Sequence, residues 1–295
     1  VLIEKFLEYI RVEKRYSSHT VTSYGKDLRD FLEFLLQTEN TYDTLCVDKK
    51  IVRNFIIFLR KKNISNRSIN RKISCLRGYY LFLMKIGELR ISPVECIYSL
   101  KFHPEKQIPM SEEEMLNLRK VFAEKPDVLS ETIIETLYQT GMRRVELCNI
   151  EYKDVDFSSN HIKILGKGNK YRNVPISPDL RSLLVGYISY RKPLKEFQHL
   201  FFVNKKGRKL SEKFVYLKVN EYLGYVSSKK KKSPHILRHS FATHILDNGG
   251  EIFAVKEILG HSSLVSTQVY TDASIEKLKK IVNLAHPRAT KKREL

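Results

Sequence analysis

The spacing of apolar residues over the first hundred positions constrains the fold more than any other feature. Ile3, Phe6, Leu7 and Ile10 fall at i, i+3, i+4 and i+7. Val21, Tyr24, Leu28, Phe31, Leu32 and Leu35 then continue one stripe through "SSHTVTSYGKDLRDFLEFLL". That period belongs to helices that each bury one face. Ser17 and Ser18 are N-cap candidates for the second of them, since a hydroxyl there can accept from a first-turn amide that has no partner within the helix. Two more helices are expected over 48–62 and 66–86, with "KKNIS" as the turn between them. Four helices without strands make a small bundle.

The pattern stops at "KFHPEKQIPM", 101–110, which has two prolines, mixed charge and no periodicity. It reads as an interdomain linker. The expected division is a first domain over 1–103, a linker at 104–110 and a second domain over 111–295. Ser111 followed by Glu114 is a capping box that opens a new helix. The second part is mostly helical with one exception. "HIKILGKGNKYRNVPI" alternates Ile162 and Ile164, turns through Gly166 to Lys170, and leaves through Val174 and Ile176, which predicts a β-hairpin. The fold class is therefore mainly α in two domains, the second carrying a small hairpin or sheet.

Composition narrows the function. Hydrophobic content of 42% over 295 residues supports packed cores, and no apolar run reaches the length of a membrane span. The N-terminus "VLIEKFLEYIRVEK" is amphipathic and contains acids, unlike a signal peptide. Cys46, Cys75, Cys96 and Cys148 include no CxxC pair, so free thiols in a reducing cytoplasm are expected and a cysteine zinc site is not. A formal charge of +20 points toward a polyanion. Between Lys49 and Gly87 there are eleven Lys or Arg and no Asp or Glu, interleaved with Phe55, Phe58, Leu59, Ile73, Leu76, Tyr79 and Tyr80 at helical spacing. Such helices have one buried face and one basic face, a form that can be laid along phosphates. A merely solvated basic surface is the plainer alternative.

The chemistry centres on "PHILRHSF", 234–241, whose two histidines and arginine admit a metal site, a nucleic-acid contact or acid–base work. His235 and His239 are four apart as in a zincin helix, but Ile236 replaces the glutamate of H-E-x-x-H and no acidic cluster supports a two-metal site. "GKGNK" lacks the spacing of a nucleotide P-loop. No metal or cofactor is expected. The remaining polar candidates are Arg143 in "TGMRRVEL", Lys167 at the hairpin tip, and His261 and Tyr270 in "LGHSSLVSTQVYT". Singly, each has an ordinary role: a surface charge, a loop lysine, a helix-cap histidine, a core aromatic. Together with His235 and Arg238 they make a parts list for metal-free attack on a phosphodiester. Two arginines can grip non-bridging oxygens with forked hydrogen bonds. A lysine can protonate a leaving alkoxide, histidines can move protons, and a tyrosine can form a covalent phosphoryl intermediate.

The ordered set R…K…H-x-x-R…H…Y resembles the tyrosine recombinases, the lambda-integrase family. Spacings of 3 from His235 to Arg238, 23 to His261 and 9 to Tyr270 fit that pattern, and "SSHTVTSYGKDLRDFLEFL", "NRKISCLRGYYLFL" and the ending "HPRA" are similar to the Xer subgroup. Arg144 directly after Arg143, Ser92-Pro93 and the "KKKK" run at 229–232 are departures from it. The resemblance implies a SAM-like core-binding domain and an integrase-like catalytic domain that together clamp duplex DNA. It assigns catalysis to Arg143, Lys167, His235, Arg238, His261 and Tyr270, the last as nucleophile forming a 3′-phosphotyrosine. It further implies a homo- or hetero-tetramer on two duplexes, and a cytoplasmic, nucleoid-associated protein with no membrane partner.

Glu146 reads as a buried partner orienting an arginine, and His239 and His244 as packing or capping residues. In "SIEKLKKIVNLA", Ile275, Leu278, Ile281, Val282 and Leu284 form a stripe that either packs on its own core or, as the resemblance implies, docks in a neighbouring protomer. Rival readings are a type IB topoisomerase, a DNA-binding protein with a dead site, and a mobile-element integrase. Larger integrases often carry an added N-terminal arm-binding module, for which this chain has no room.

Overall fold

The computed structural model describes residues 2–102, 107–166, 170–260 and 272–289. The chain divides into two compact units, Val1–Glu105 and Lys106–Leu295.

The first unit holds α1 (Leu2–Val12), α2 (Ser18–Glu39), α3 (Lys49–Lys61) and α4 (Asn66–Lys85). Each of the last three starts at a side-chain cap: Ser17 accepts from the Thr20 amide, Asp48 from Ile51 and Ser65 from Ser68. The expected helix boundaries lie within a residue of those observed for α3 and α4. α2 stops at Asn40, which takes the left-handed conformation with φ 49°. The core is strongly aromatic. Phe31 and Phe55 meet edge to face at 4.9 Å, and Phe6 meets Tyr79 at 5.4 Å. Both buried tyrosines reach polar partners at Thr44, Tyr79 through the Thr44 hydroxyl (2.8 Å) and Tyr80 by donating to its carbonyl (3.0 Å). Lys72 is buried and donates to Asp27 (2.9 Å) and Asp30, while Arg71 also pairs with Asp27.

In the second unit α5 (Glu112–Glu124) begins at the expected capping box, with Ser111 Oγ accepting from Glu114 N (3.1 Å) and Glu114 Oε2 from Ser111 N (2.7 Å). α6 (Val128–Thr140) is its central helix, buried from Leu129 to Thr140 except at Glu131. α7 (Arg144–Cys148) leads into β1 (Val155–Asp156), β2 (His161–Leu165) and β3 (Tyr171–Pro175), an antiparallel sheet in the order β1-β2-β3. In the hairpin Ile162 pairs with Val174 and Ile164 with Arg172, so the alternation puts Ile162, Ile164 and Val174 in the core. The two-residue β1 is too short to show an alternation of its own.

α8 (Pro178–Tyr190), α9 (Glu212–Val226), α10 (Pro234–Asp247), α11 (Ile252–Leu259) and α12 (Asp272–Ala285) complete this unit. Met110, the last residue of the expected linker, is fully buried here, its amide donating to Ser240 Oγ at 2.8 Å. α12 buries Leu278, Val282 and Ala285 in the core of its own unit, with Ile281 partly covered. Leu284 is 76% exposed, a correction to the expected stripe: six residues past Leu278 is well off its face, and Ala285 takes the place. Among the described residues no helix is long and apolar enough to cross a membrane.

Candidate active site

Three of the six candidate residues line one open pocket of about 390 Å³, which is bounded by Arg143, Arg144, Glu212, Tyr216, His235 and Arg238 among others. The other three, Lys167, His261 and Tyr270, lie outside the described residues.

Arg143 stands at the N-cap of α7, where Gly141 lets the chain leave α6. That glycine has φ 61°, and a Cβ on it would lie 2.6 Å from Phe241 and 2.7 Å from Leu259, so both conformation and space demand glycine. Glu146, one turn into α7, accepts from the Arg143 amide (2.7 Å) and from its guanidinium (2.9 Å). Arg143 is thereby aimed while its side chain stays partly exposed.

Glu146 is buried and also takes a bidentate grip from Arg172, at 2.9 and 2.8 Å. Burial pushes the carboxyl up, but the bonds and charge of Arg172, with the Arg143 amide, overcome this and hold it below the usual range. Its expected role as the partner that orients an arginine is what the geometry shows. Arg172 itself did not figure among the expected site residues. Its signal was present: it shares the strand face of Val174, so the alternation puts a cation on the core side, and a buried cation requires an acid. Gly166, at the root of the hairpin tip that carries Lys167, lies against this pair; a Cβ there would be 3.1 Å from Arg172 Nη1.

Arg238 sits in the first half of α10 and is buried. Its Nη1 donates to Gly141 O (2.6 Å) and its Nη2 to Leu259 O (2.7 Å). Arg172 Nε donates to Ile258 O at 2.7 Å. The last carbonyls of α11, which have no partner within the helix and lie at its negative end, therefore receive two arginines. Burial first, then the charge of Arg143, lowers the Arg238 pKa to about 10, and it remains a cation at neutral pH. Gly260, φ 64°, caps α11 against the Arg172 side chain, so Arg172 and α11 together fix where the chain departs toward His261.

His235 is exposed on the first turn of α10. Partial burial, then Arg238, His239 and Arg143, lower its pKa, so the imidazole is neutral at pH 7 and able to take a proton. The N-terminus of α10 borders the same pocket through Ser233 and Pro234, adding the positive end of the helix dipole to the two arginines. Neither bystander histidine lines the pocket. His244 is buried, accepting at Nδ1 from Tyr138 OH (2.8 Å) and donating through Nε2 to Met110 O (2.8 Å). His239 is exposed, so it does not pack.

A mostly helical domain with a small antiparallel sheet thus carries a pocket that gathers cations around a neutral histidine, chemistry suited to an anion. Comparison with known proteins carries this further. The model of the phage integrase family matches residues 109–277, and that of the phage integrase N-terminal SAM-like domain matches residues 3–87. Tyrosine recombinase XerC of Staphylococcus aureus (strain MRSA252) is 37% identical over 297 residues, spanning 99% of this chain and 98% of the relative. Among solved structures, a lambda integrase dimer bound to a COC′ core site aligns with a TM-score of 0.73 at 13% identity, over 91% of this chain and 98% of that one. XerH bound to a palindromic difH substrate, a post-cleavage complex, aligns at 0.68 with 21% identity, over 97% and 81%. The two structural likenesses speak for the fold. The chain belongs to the tyrosine recombinases of the phage integrase family, site-specific recombinases of DNA, and is XerC-like along its full length.

Proposed function

We propose that the pocket of Arg143, His235 and Arg238 holds the scissile phosphate, and that Lys167, His261 and Tyr270 complete the catalytic set. The convergence of two arginines, one neutral imidazole and a helix N-terminus on one open pocket carries this reading. The Tyr270 phenol oxygen attacks phosphorus, its proton passing to a histidine. The bond to the 5′-oxygen breaks, and Lys167 supplies that oxygen's proton. The products are a 3′-phosphotyrosine and a free 5′-hydroxyl. Attack by the 5′-hydroxyl of a partner duplex reverses the steps, and the retained phosphoester bond removes any need for ATP. The arginines neutralise charge on the non-bridging oxygens.

In this reading residues 1–103 form the core-binding domain, with its basic helices along the duplex, and 111–295 the catalytic domain. Two exchanging duplexes require four protomers. The lambda integrase relative is a dimer on its core site. We assign α12 as the element exchanged between neighbours on DNA, leaving the intramolecular seat described above. An Xer role in resolving chromosome or plasmid dimers in the cytoplasm suits the XerC likeness.

The test is Tyr270→Phe on a nicked suicide substrate, in parallel with Arg143→Ala. The phenylalanine variant is expected to bind DNA as the parent does and form no covalent adduct. The alanine variant should form adduct at least about 10²-fold more slowly, the usual cost of losing one charge-stabilising donor. Covalent trapping of Tyr270→Phe on DNA would mean that another residue is the nucleophile.

A further inference from the structure

Arg144 is the departure from the family pattern that lies closest to the chemistry, and the site described so far gives it no task. It is a third arginine on the wall of the pocket that holds Arg143, His235 and Arg238. Its guanidinium is held by Glu212, the first residue of α9, with Nε and Nη2 donating to Oε2 at 3.1 and 2.7 Å. Glu212 lines the pocket as well. A carboxylate on the wall of a cavity that must admit a phosphate is unfavourable by itself, and Arg144 neutralises it. The pair is only partly buried, with side chains 35% and 31% exposed. Water therefore screens it, and little is lost when it opens.

This pair differs from the Glu146–Arg172 pair a few residues away, which is buried on both sides and closed by a bidentate grip. One ion pair is built to stay and the other to exchange. Arg172 grips Glu146 across both carboxylate oxygens, whereas Arg144 Nε and Nη2 converge on the single oxygen Oε2 of Glu212. A guanidinium gripped at one oxygen keeps donors to offer elsewhere, and a phosphate is the geometry it matches.

We propose that Arg144 is a DNA-binding residue, which trades the Glu212 carboxylate for a backbone phosphate when duplex DNA enters the pocket. The contact adds to those of Arg143 and Arg238 and fixes the phosphate next to theirs. Glu212 holds Arg144 at the rim until then. The inference rests on the reading of this pocket as the phosphate site.

The test uses the full chain and a duplex selected by it from random-sequence DNA, with binding followed as a function of salt. The decisive comparison is made with Glu212→Gln as the parent, so that removing Arg144 uncovers no negative charge on the pocket wall. In that background Arg144→Ala is expected to weaken binding and lower the slope of log K against log salt by about 0.9, the signature of one lost phosphate contact. Arg144→Lys should keep most of that slope. If Arg144→Ala leaves slope and affinity unchanged in the Glu212→Gln background, the arginine serves only to neutralise its acid and the proposal is overturned. Arg143→Ala in the same assay separates the two readings. A normal slope for Arg143→Ala would place the phosphate elsewhere and bring down the pocket assignment itself. A lowered slope for Arg143→Ala with an unchanged one for Arg144→Ala defeats the exchange alone.

Discussion

The two units bury polar groups in contrasting ways. Among the described residues the first unit buries Asp27, Thr44 and Lys72 within a core of phenylalanines and tyrosines. The second buries Glu135, Gln139, Glu146, Arg172, Arg238, His244, His286 and Arg288, among others, several of them linked in networks. Arg288 grips Glu135 through Nε (3.2 Å) and Nη2 (2.9 Å) and also donates to Met115 O, so "HPRA" is tied to α5 and α6. Gln139 continues that network from Glu135 to Ser177. A bundle that has only to present its surface can be held by apolar stripes. A unit that must aim guanidinium groups within fractions of an ångström needs fixed dipoles around them, and pairing is what makes these tolerable inside.

The contrast should be easiest to break at Glu146. Glu146→Gln leaves Arg172 as a buried cation without its acid, which costs about 3–5 kcal/mol. Amide exchange should accelerate across β2, β3 and α11 while α2 and α4 keep their protection. Equal loosening of both units would contradict their independence.

Acid provides a second separation. Burial lowers the pKa of His286 to about 3 and that of His244 below its ordinary value. With the folded pKa below the unfolded one of about 6.5, the unfolded chain binds the proton that the folded chain refuses. Stability is therefore fully present above about pH 6.5 and falls as the pH drops toward the folded value. For His286 alone the loss reaches about 2 kcal/mol by pH 5. Denaturant unfolding of the second unit should show this acid limb, and His286→Phe should flatten it. A limb unchanged by that substitution would assign the acid sensitivity elsewhere.

Asp27→Asn sharpens the comparison from the other side. Lys72 keeps Asp30, which is partly exposed, so the loss in the first unit should be about 1–3 kcal/mol. Exchange from α2 and α4 reports it. A loss as large as that of Glu146→Gln would mean that the two buried pairs are equivalent.

The same division governs what could be read from sequence. The helices of the first unit, the cap at Ser17, the Ser111–Glu114 box and the hairpin all rest on contacts within a few residues, and a local pattern records them. Arg172 and Glu146 are 26 residues apart and Arg288 and Glu135 are 153 apart, and no period joins such partners. The described half of the proposed site, Arg143, His235 and Arg238, could be nominated from sequence because the order of these residues resembles a family. Glu146, the support of Arg143, was legible too, but those of Arg238 were not, because Gly141 and Leu259 act through main-chain carbonyls that every residue possesses, as Ile258 does for Arg172.

That last property bears on how the site tolerates drift. Arg238 is anchored to the carbonyls of residues 141 and 259, and Arg172 to that of 258. A mutation at 258 or 259 changes what fills the core but cannot delete the acceptor, so inheritance of the anchor does not depend on the identity of the side chain. Of these three acceptor positions only 141 is closed to change, because any Cβ there would press on Phe241 and Leu259 and shift the carbonyl with it. The lineage can thus repack residues 258 and 259 over generations while both guanidinium groups stay in register, with Gly141, and Gly260 against Arg172, as the points where the arrangement is brittle.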